Sequence, residues 1–408
     1  MTQKKTYIQN FWYVNNYGAC LTAYALYRLL EENDYTPTLI DRSSDKEAIT
    51  YKFTNFIKKY CNRTKTINSY IDSYDINNDK SVFITGSDQV FRPKFAKSHL
   101  SEFLLDFTNI YSKKIAFSAS FGVGKEQFIA ETDTKTIERM KHLLKGFDYI
   151  SIREKAGVKI CKELFDIDAE WIIDPVFMID KSNYENISKN SNLDSTGKIV
   201  SYIFGKNKTN TKLFNHLKNT YNTDVIELLD IPMNIENWLN AIKNCKLLIS
   251  NSFHGICFAI IFNKPFICLG KETEAPDRFD SLFELLGIEN KCVNSINEIY
   301  EKDCIFNIDY EKVNKKIKQE AIRGIEFLRN SIEAQPSLTN EKMLSKIQSL
   351  EILLEKSEDE RIKKTPLKNK LEKKIKKIKF KFFNIIVKLF YTLPKPIKYV
   401  IRQIRYRR

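Results

Sequence analysis

The chain has 408 residues, 43% of them hydrophobic and 12% aromatic, enough for two domains with substantial cores plus an appendage. Its net charge of +15 is concentrated: Arg361 to Arg408 carries 18 Lys and Arg against one acid, Glu372, so the other 360 residues sum to −2. A near-neutral body speaks against nucleic-acid binding, and eight cysteines without a CxxC pair, with only four histidines, speak against a zinc site and suit buried thiols in a reducing compartment.

The first residues, MTQKKTYIQNFWYVNNYG, lack the apolar core and cleavage site of a secretory signal. No stretch of about 18 uncharged apolar residues occurs, which predicts no membrane-spanning helix. Tyr7 to Val14 reads as the first strand, Ala19 to Leu30 as an amphipathic helix, and Pro37 to Asp41 as a short strand. A polar, less regular insertion runs from Arg42 to Asp79. Strands follow at Ser81 to Thr85, Lys114 to Ser120, Asp148 to Arg153 and Ala169 to Ile173, and Asp174-Pro175 ends this half. Asp180 to Gly197 reads as an interdomain linker. A second alternation begins at Lys198: the strand IVSYIF, a helix from about Thr209, the strand DVIELL and a helix from Ile235. Then Leu247 to Gly270 gives strand, turn, helix, strand, followed by helices at Arg278 to Leu286 and Asp309 to Ala334.

Such alternation predicts an α/β protein with parallel sheets and crossover helices. The expected division is a first Rossmann-like domain over 1–180 and a second over 181–335. A charged helical linker follows over 336–370, then a basic amphipathic tail over 371–408. In that tail Leu371, Ile375, Ile378, Phe382, Ile385, Leu389 and Leu393 recur every three or four residues between lysines. So much apolar surface beside so many cations fits an anionic membrane surface better than a partner helix, and nucleic acid least.

Five polar segments close predicted strands. Asn15-Asn16-Tyr17-Gly18-Ala19 is either a plain βα turn or a place where backbone N–H groups meet an anion or sugar. Thr85-Gly86-Ser87-Asp88-Gln89 offers either a helix cap or a carboxylate for a hydroxyl. Ser118-Ala119-Ser120-Phe121-Gly122 reads as close packing. Arg153 in Ser151-Ile152-Arg153-Glu154 is either a surface ion pair or an anion fork. Asn251, Ser252 and His254 stand where open α/β sheets bind ligands; His254 either caps and packs or moves a proton.

In this order the segments Asn16 to Ala19, Gly86 to Gln89, Ser151 to Glu154, Asp174-Pro175 and Ser252-Phe253-His254-Gly255 resemble the polysaccharide pyruvyl transferase family. Arg278 to Leu286 also looks like the family's stretch after the histidine. The resemblance covers roughly residues 5–330 and leaves out 338–408. It implies a GT-B-like fold, two Rossmann-like domains facing across a cleft. It also implies transfer of pyruvate from phosphoenolpyruvate, a co-substrate rather than a cofactor, to sugar hydroxyls as a ketal.

On that resemblance His254 and Asp88 are the expected catalytic residues. Arg153, Asn251, Ser252, Phe253, Gly255 and Arg278 are expected at the donor, and Asn16, Tyr17, Gly18, Ser87 and Gln89 at the acceptor. No metal is expected. Some family members carry Arg two positions before the histidine, where this chain has Ser252; the anion contact is then missing or supplied elsewhere, as by Arg278. The implied acceptor is a cell-surface glycan (an exopolysaccharide or capsule) or its lipid-linked precursor. The implied location is the cytoplasm, peripheral at the inner face of the plasma membrane. Two other readings stay open: a nucleotide-sugar glycosyltransferase of the same fold, and a non-catalytic member of a glycan-assembly complex.

Overall fold

The computed structural model describes residues 4–42, 53–67, 76–77, 81–205, 208–269, 277–289, 292–293 and 308–363. Residues 1–337 and 338–408 form two compact units. The first contains two wholly parallel sheets. In one, β1 (Lys5–Gln9), β2 (Thr36–Leu39), β3 (Val82–Thr85), β4 (Lys113–Ala119), β5 (Tyr149–Ile152) and β6 (Glu170–Trp171) lie in the order β2-β1-β3-β4-β5-β6. In the other, β7 (Ile199–Tyr202), β8 (Val225–Glu227), β9 (Leu247–Ser250) and β10 (Phe266–Cys268) lie in the order β10-β9-β7-β8.

Both sheets follow one plan. Each begins at an inner strand, adds the second strand on one side and all later ones on the other. That is the doubly wound 2-1-3-4 order, and its switch points fall at β1/β3 and β7/β9. Ligands of open α/β sheets bind in the crevice beyond the strand ends at such points. The fold class is therefore the expected one, α/β with two Rossmann-like sheets.

The strands form because their residues are buried on both faces: every residue of β3, β4, β7 and β9 is buried. Two lysines open the buried strand β4. Lys113 resolves its charge by donating from Nζ to the carbonyls of Ile332, at 2.8 Å, and Ala334, at the end of a long helix, Tyr310–Glu333. Cations at a helix C-terminus meet both free carbonyls and the negative end of the dipole.

That helix crosses between the halves. Its first residue, Tyr310, donates to the carbonyl of Lys264 in the second half, and its Phe327 stacks on Phe117 of β4 at 6.2 Å. The assignment of residues up to 335 to the second domain thus misses a return to the first sheet. The expected linker at 180–197 also holds a helix, Ser182–Ser188. Its Tyr184 is buried, donates to the carbonyl of Val176 at 2.9 Å and sets its ring edge-on to Phe258 at 4.9 Å.

Two helices position the site. The helix α1 (Tyr17–Glu32) follows β1 and is buried over most of its surface. The helix Phe253–Ile261 follows β9 and is buried at all nine positions, as a helix apolar at every position but His254 must be. Of the insertion at 42–79, Thr54–Tyr60 is helical, with Phe56 and Ile57 buried. In the second unit Asn340–Lys363 is a helix; the amphipathic tail over 371–408 lies outside the described residues. Among the described residues no helix is long and apolar enough to cross a membrane.

Candidate active site

The chain ends its inner strands with polar residues that hold their own loops. Beyond β1, Asn16 caps α1 by accepting from the N–H of Ala19 at 3.1 Å. Asn10 spans the β1/β3 switch point, donating to the carbonyls of Gly86 at 3.0 Å and Ser87 at 3.1 Å. That holds Asp88 in a left-handed conformation, φ 78°, which short acidic side chains tolerate better than most. Its Oδ1 accepts from the N–H of Gln89 at 2.9 Å.

Asp174, just beyond β6, is the hub. Its Oδ1 accepts from Thr22 Oγ1 at 2.9 Å and the N–H of Val176 at 3.1 Å. Its Oδ2 accepts from Arg153 Nη1 at 2.6 Å and Ser87 Oγ at 3.1 Å, and His254 Nε2 stands 3.6 Å away. Burial alone would raise its pKa. The nearby His254 and the Arg153 charge outweigh that and hold the carboxyl well below the usual carboxylate range.

Arg153 is buried and both its terminal nitrogens are engaged, Nη1 by Asp174 and Nη2 by Asp88 at 3.1 Å, while Nε, 3.8 Å from Glu154, makes no hydrogen bond. Burial opposes its charge, but Asp88, Asp174 and Glu154 together raise its basicity further. Glu154 is buried rather than part of a surface pair. Its Oε1 accepts from the N–H groups of Phe121 at 2.8 Å and Gly122 at 3.2 Å. The small-residue segment after β4 is thereby tied to the arginine loop. Burial pushes the Glu154 carboxyl up, against Arg153 and these N–H groups.

His254 enters from the second half. Its Nε2 lies 3.3 Å from Thr22 Oγ1 and 3.4 Å from Arg153 Nη1. The other edge of the ring lies against Gly18: a β-carbon on that glycine would stand 2.0 Å from Nδ1. Gly18 is therefore glycine because the imidazole occupies the place of a side chain. Two guanidinium groups lie by the Phe253 ring, Arg153 at 4.5 Å and Arg278 at 5.6 Å from its centre. Arg278 belongs to the helix Asp277–Leu286, which docks where the N–H of Lys155 donates to Ser281 Oγ at 3.1 Å. Burial, then the nearby Arg153 charge, pulls Arg278 down to about 10, with Asp88 and Glu154 opposing.

The structure thus brings together His254, Arg153, Asp88, Ser87, Gly18, Phe253 and Arg278. Other expected site residues serve the scaffold. Tyr17 stacks on Trp238 at 5.3 Å and donates its hydroxyl to the carbonyl of Met233 at 3.1 Å, joining the halves. Gln89 accepts from Arg92 Nη1 at 3.1 Å, and Arg92 in turn forks onto Glu131. Asn251 spans the β7/β9 switch point, accepting from the N–H of Phe204 and donating to its carbonyl, both at 2.8 Å. Ser252 caps its helix on the N–H of Gly255 at 3.3 Å. Gly255 is small because a β-carbon would meet Ser250 Oγ at 2.6 Å. Sequence reasoning missed Asp174 as a site residue and missed Thr22 altogether. The one signal for Thr22 was its place one helical turn beyond Gly18. Among the described residues no group of three or more His, Cys, Asp or Glu could hold a metal ion.

The polysaccharide pyruvyl transferase family model matches residues 16–272. No curated protein sequence matches the chain. Among solved structures it is similar to a UDP-GlcNAc 2-epimerase from Neisseria meningitidis, with 10% identity, 85% of this chain and 98% of that one covered, and a TM-score of 0.46. It is also similar to the wall teichoic acid polymerase TagF, with 13% identity, 88% and 90% covered, and a TM-score of 0.44.

Proposed function

This chain belongs to the polysaccharide pyruvyl transferase family, a transferase family of polysaccharide modification, and we propose that it moves pyruvate from phosphoenolpyruvate onto two hydroxyls of a glycan as a ketal. The observation that carries this reading is the meeting of His254 with the Arg153–Asp174 pair, beside Arg278 and the switch-point loops.

In this reaction C3 of the donor takes a proton, C2 gains two C–O bonds to the sugar, and the C2–O bond to phosphate breaks. Of the two hydroxyl protons released, one balances the new methyl group and one leaves with phosphate. His254 is suited to deliver the proton to C3, and general acid help of this kind is typically worth about 10² to 10⁴ in rate. Arg153 is already occupied by Asp174 and Asp88, so its task here is to hold those carboxylates. Arg278, beside the Phe253 ring and near Arg153, is assigned to the donor anion. Asp88 keeps Oδ2 outside its bonds to Arg153 and Gln89, suited to a sugar hydroxyl.

Calorimetric titration of the full chain with phosphoenolpyruvate, beside a panel of nucleotide sugars, tests this. Saturable phosphoenolpyruvate binding, weakened at least tenfold by Arg278→Ala, is expected. Saturable binding of a nucleotide sugar in its place would make the chain a glycosyltransferase and overturn the proposal.

A further inference from the structure

We propose that Thr22 is a positioning residue that selects the tautomer of His254, keeping the proton on Nε2 and the lone pair on Nδ1. This rests on the acid–base role given to His254 above.

Four groups face the ring. Asp174 and Arg153 come from the strand ends of the first half, Thr22 from α1, and the Phe253 ring stands edge-on at 5.3 Å. Around Nε2 they ask for opposite things. Arg153 can only donate, and at 3.4 Å it would draw a lone pair on Nε2. Asp174 can only accept, but at 3.6 Å it is beyond a good hydrogen bond.

Thr22 decides between them. Its hydroxyl has one proton, and that proton is committed to Asp174 Oδ1 at 2.9 Å, because an ionised carboxylate has none to give. Towards His254 the hydroxyl oxygen can therefore only accept. At 3.3 Å it is the nearest partner of Nε2 and carries the acceptor character of Asp174 to the ring. With Nε2 holding a proton, the neutral ring keeps its lone pair on Nδ1, the edge that faces Gly18 rather than the buried carboxylate.

Ring nitrogen resonances of the ¹⁵N-histidine-labelled full chain at pH 8 test the proposal without any substrate. There are four histidines, and His254→Gln assigns the resonance of interest. In the native protein the Nε2–H form should predominate. Thr22→Val, matched in shape but without the acceptor, should shift the ratio towards Nδ1–H about tenfold, the weight of one hydrogen bond of about 1.4 kcal/mol. Thr22→Ser should restore it. A native ring protonated on Nδ1 would overturn the proposal whether or not the valine variant folds. So would a valine variant with an unchanged ratio. If the ratio moves as expected and phosphoenolpyruvate does not bind, only the donor assignment fails.

Discussion

Gly18→Ala separates a local preference from a tertiary one. Gly18 is the second residue of α1 and has a helical backbone, so alanine suits the position and should gain up to about 1 kcal/mol of helix propensity. The new methyl group, however, would stand 2.0 Å from Nδ1, 2.3 Å from Cγ and 2.7 Å from Cβ of His254. Forcing a methyl group into a packed site of this kind costs about 1–3 kcal/mol. The net change should lie between about zero and 3 kcal/mol of lost stability, with the imidazole displaced from its place beside Thr22 and Asp174. The partner variant is His254→Gly, since even the β-carbon of His254 is too close to the added methyl. In that background the clash is gone and Gly18→Ala should stabilise. Urea unfolding of the four proteins should give a coupling energy of about 1–3 kcal/mol. A coupling below about 0.5 kcal/mol would mean that the glycine is not there for the histidine.

Asp174→Asn removes the partner of a buried guanidinium and should cost about 3–5 kcal/mol at neutral pH. Its folded-state pKa is depressed, so the native carboxylate contributes stability that is complete above its ordinary value of 3.8 and is lost as pH falls. The stability gap between native and variant proteins should therefore narrow progressively below about pH 4; a gap that stays constant down to pH 2 would contradict the pairing. The basic tail should bind anionic vesicles at roughly 1 kcal/mol per cation near the surface. A chain ending at Thr365 should stay in the supernatant where the full chain sediments, and pelleting of both would assign membrane binding elsewhere.

The fold was legible because both sheets are parallel and buried on two faces, so each strand stands out as an apolar run between polar loops. Its edges were less so. The first strand was expected to run to Val14 but ends at Gln9, because Phe11, Trp12 and Tyr13 are buried in the loop and mimic strand. The site was legible as residue types at strand ends, since those ends must carry polar loops whatever they bind. Which of them touch could not be read. Tyr17, Gln89 and Asn251 spend their polar atoms on backbone carbonyls, an arginine and a neighbouring loop. Asp174 looked like a turn before proline, a task it also performs for Val176. Thr22 was hidden within the buried face of a helix, where a threonine ordinarily bonds its own backbone.

The charge arrangement explains why an arginine prominent in sequence is a poor grip for an anionic donor. Arg153 faces three carboxylates, Asp174, Asp88 and Glu154, and its side chain is 1% exposed. An anion competing for it would have to displace a buried carboxylate at 2.6 Å and leave that charge without a partner, a cost of several kcal/mol. Arg278 has different surroundings: burial and the Arg153 charge lower its basicity, while Asp88 and Glu154 oppose them. Arg153 is thus held by the protein's own acids, and Ser252 serves as a helix cap rather than a charge.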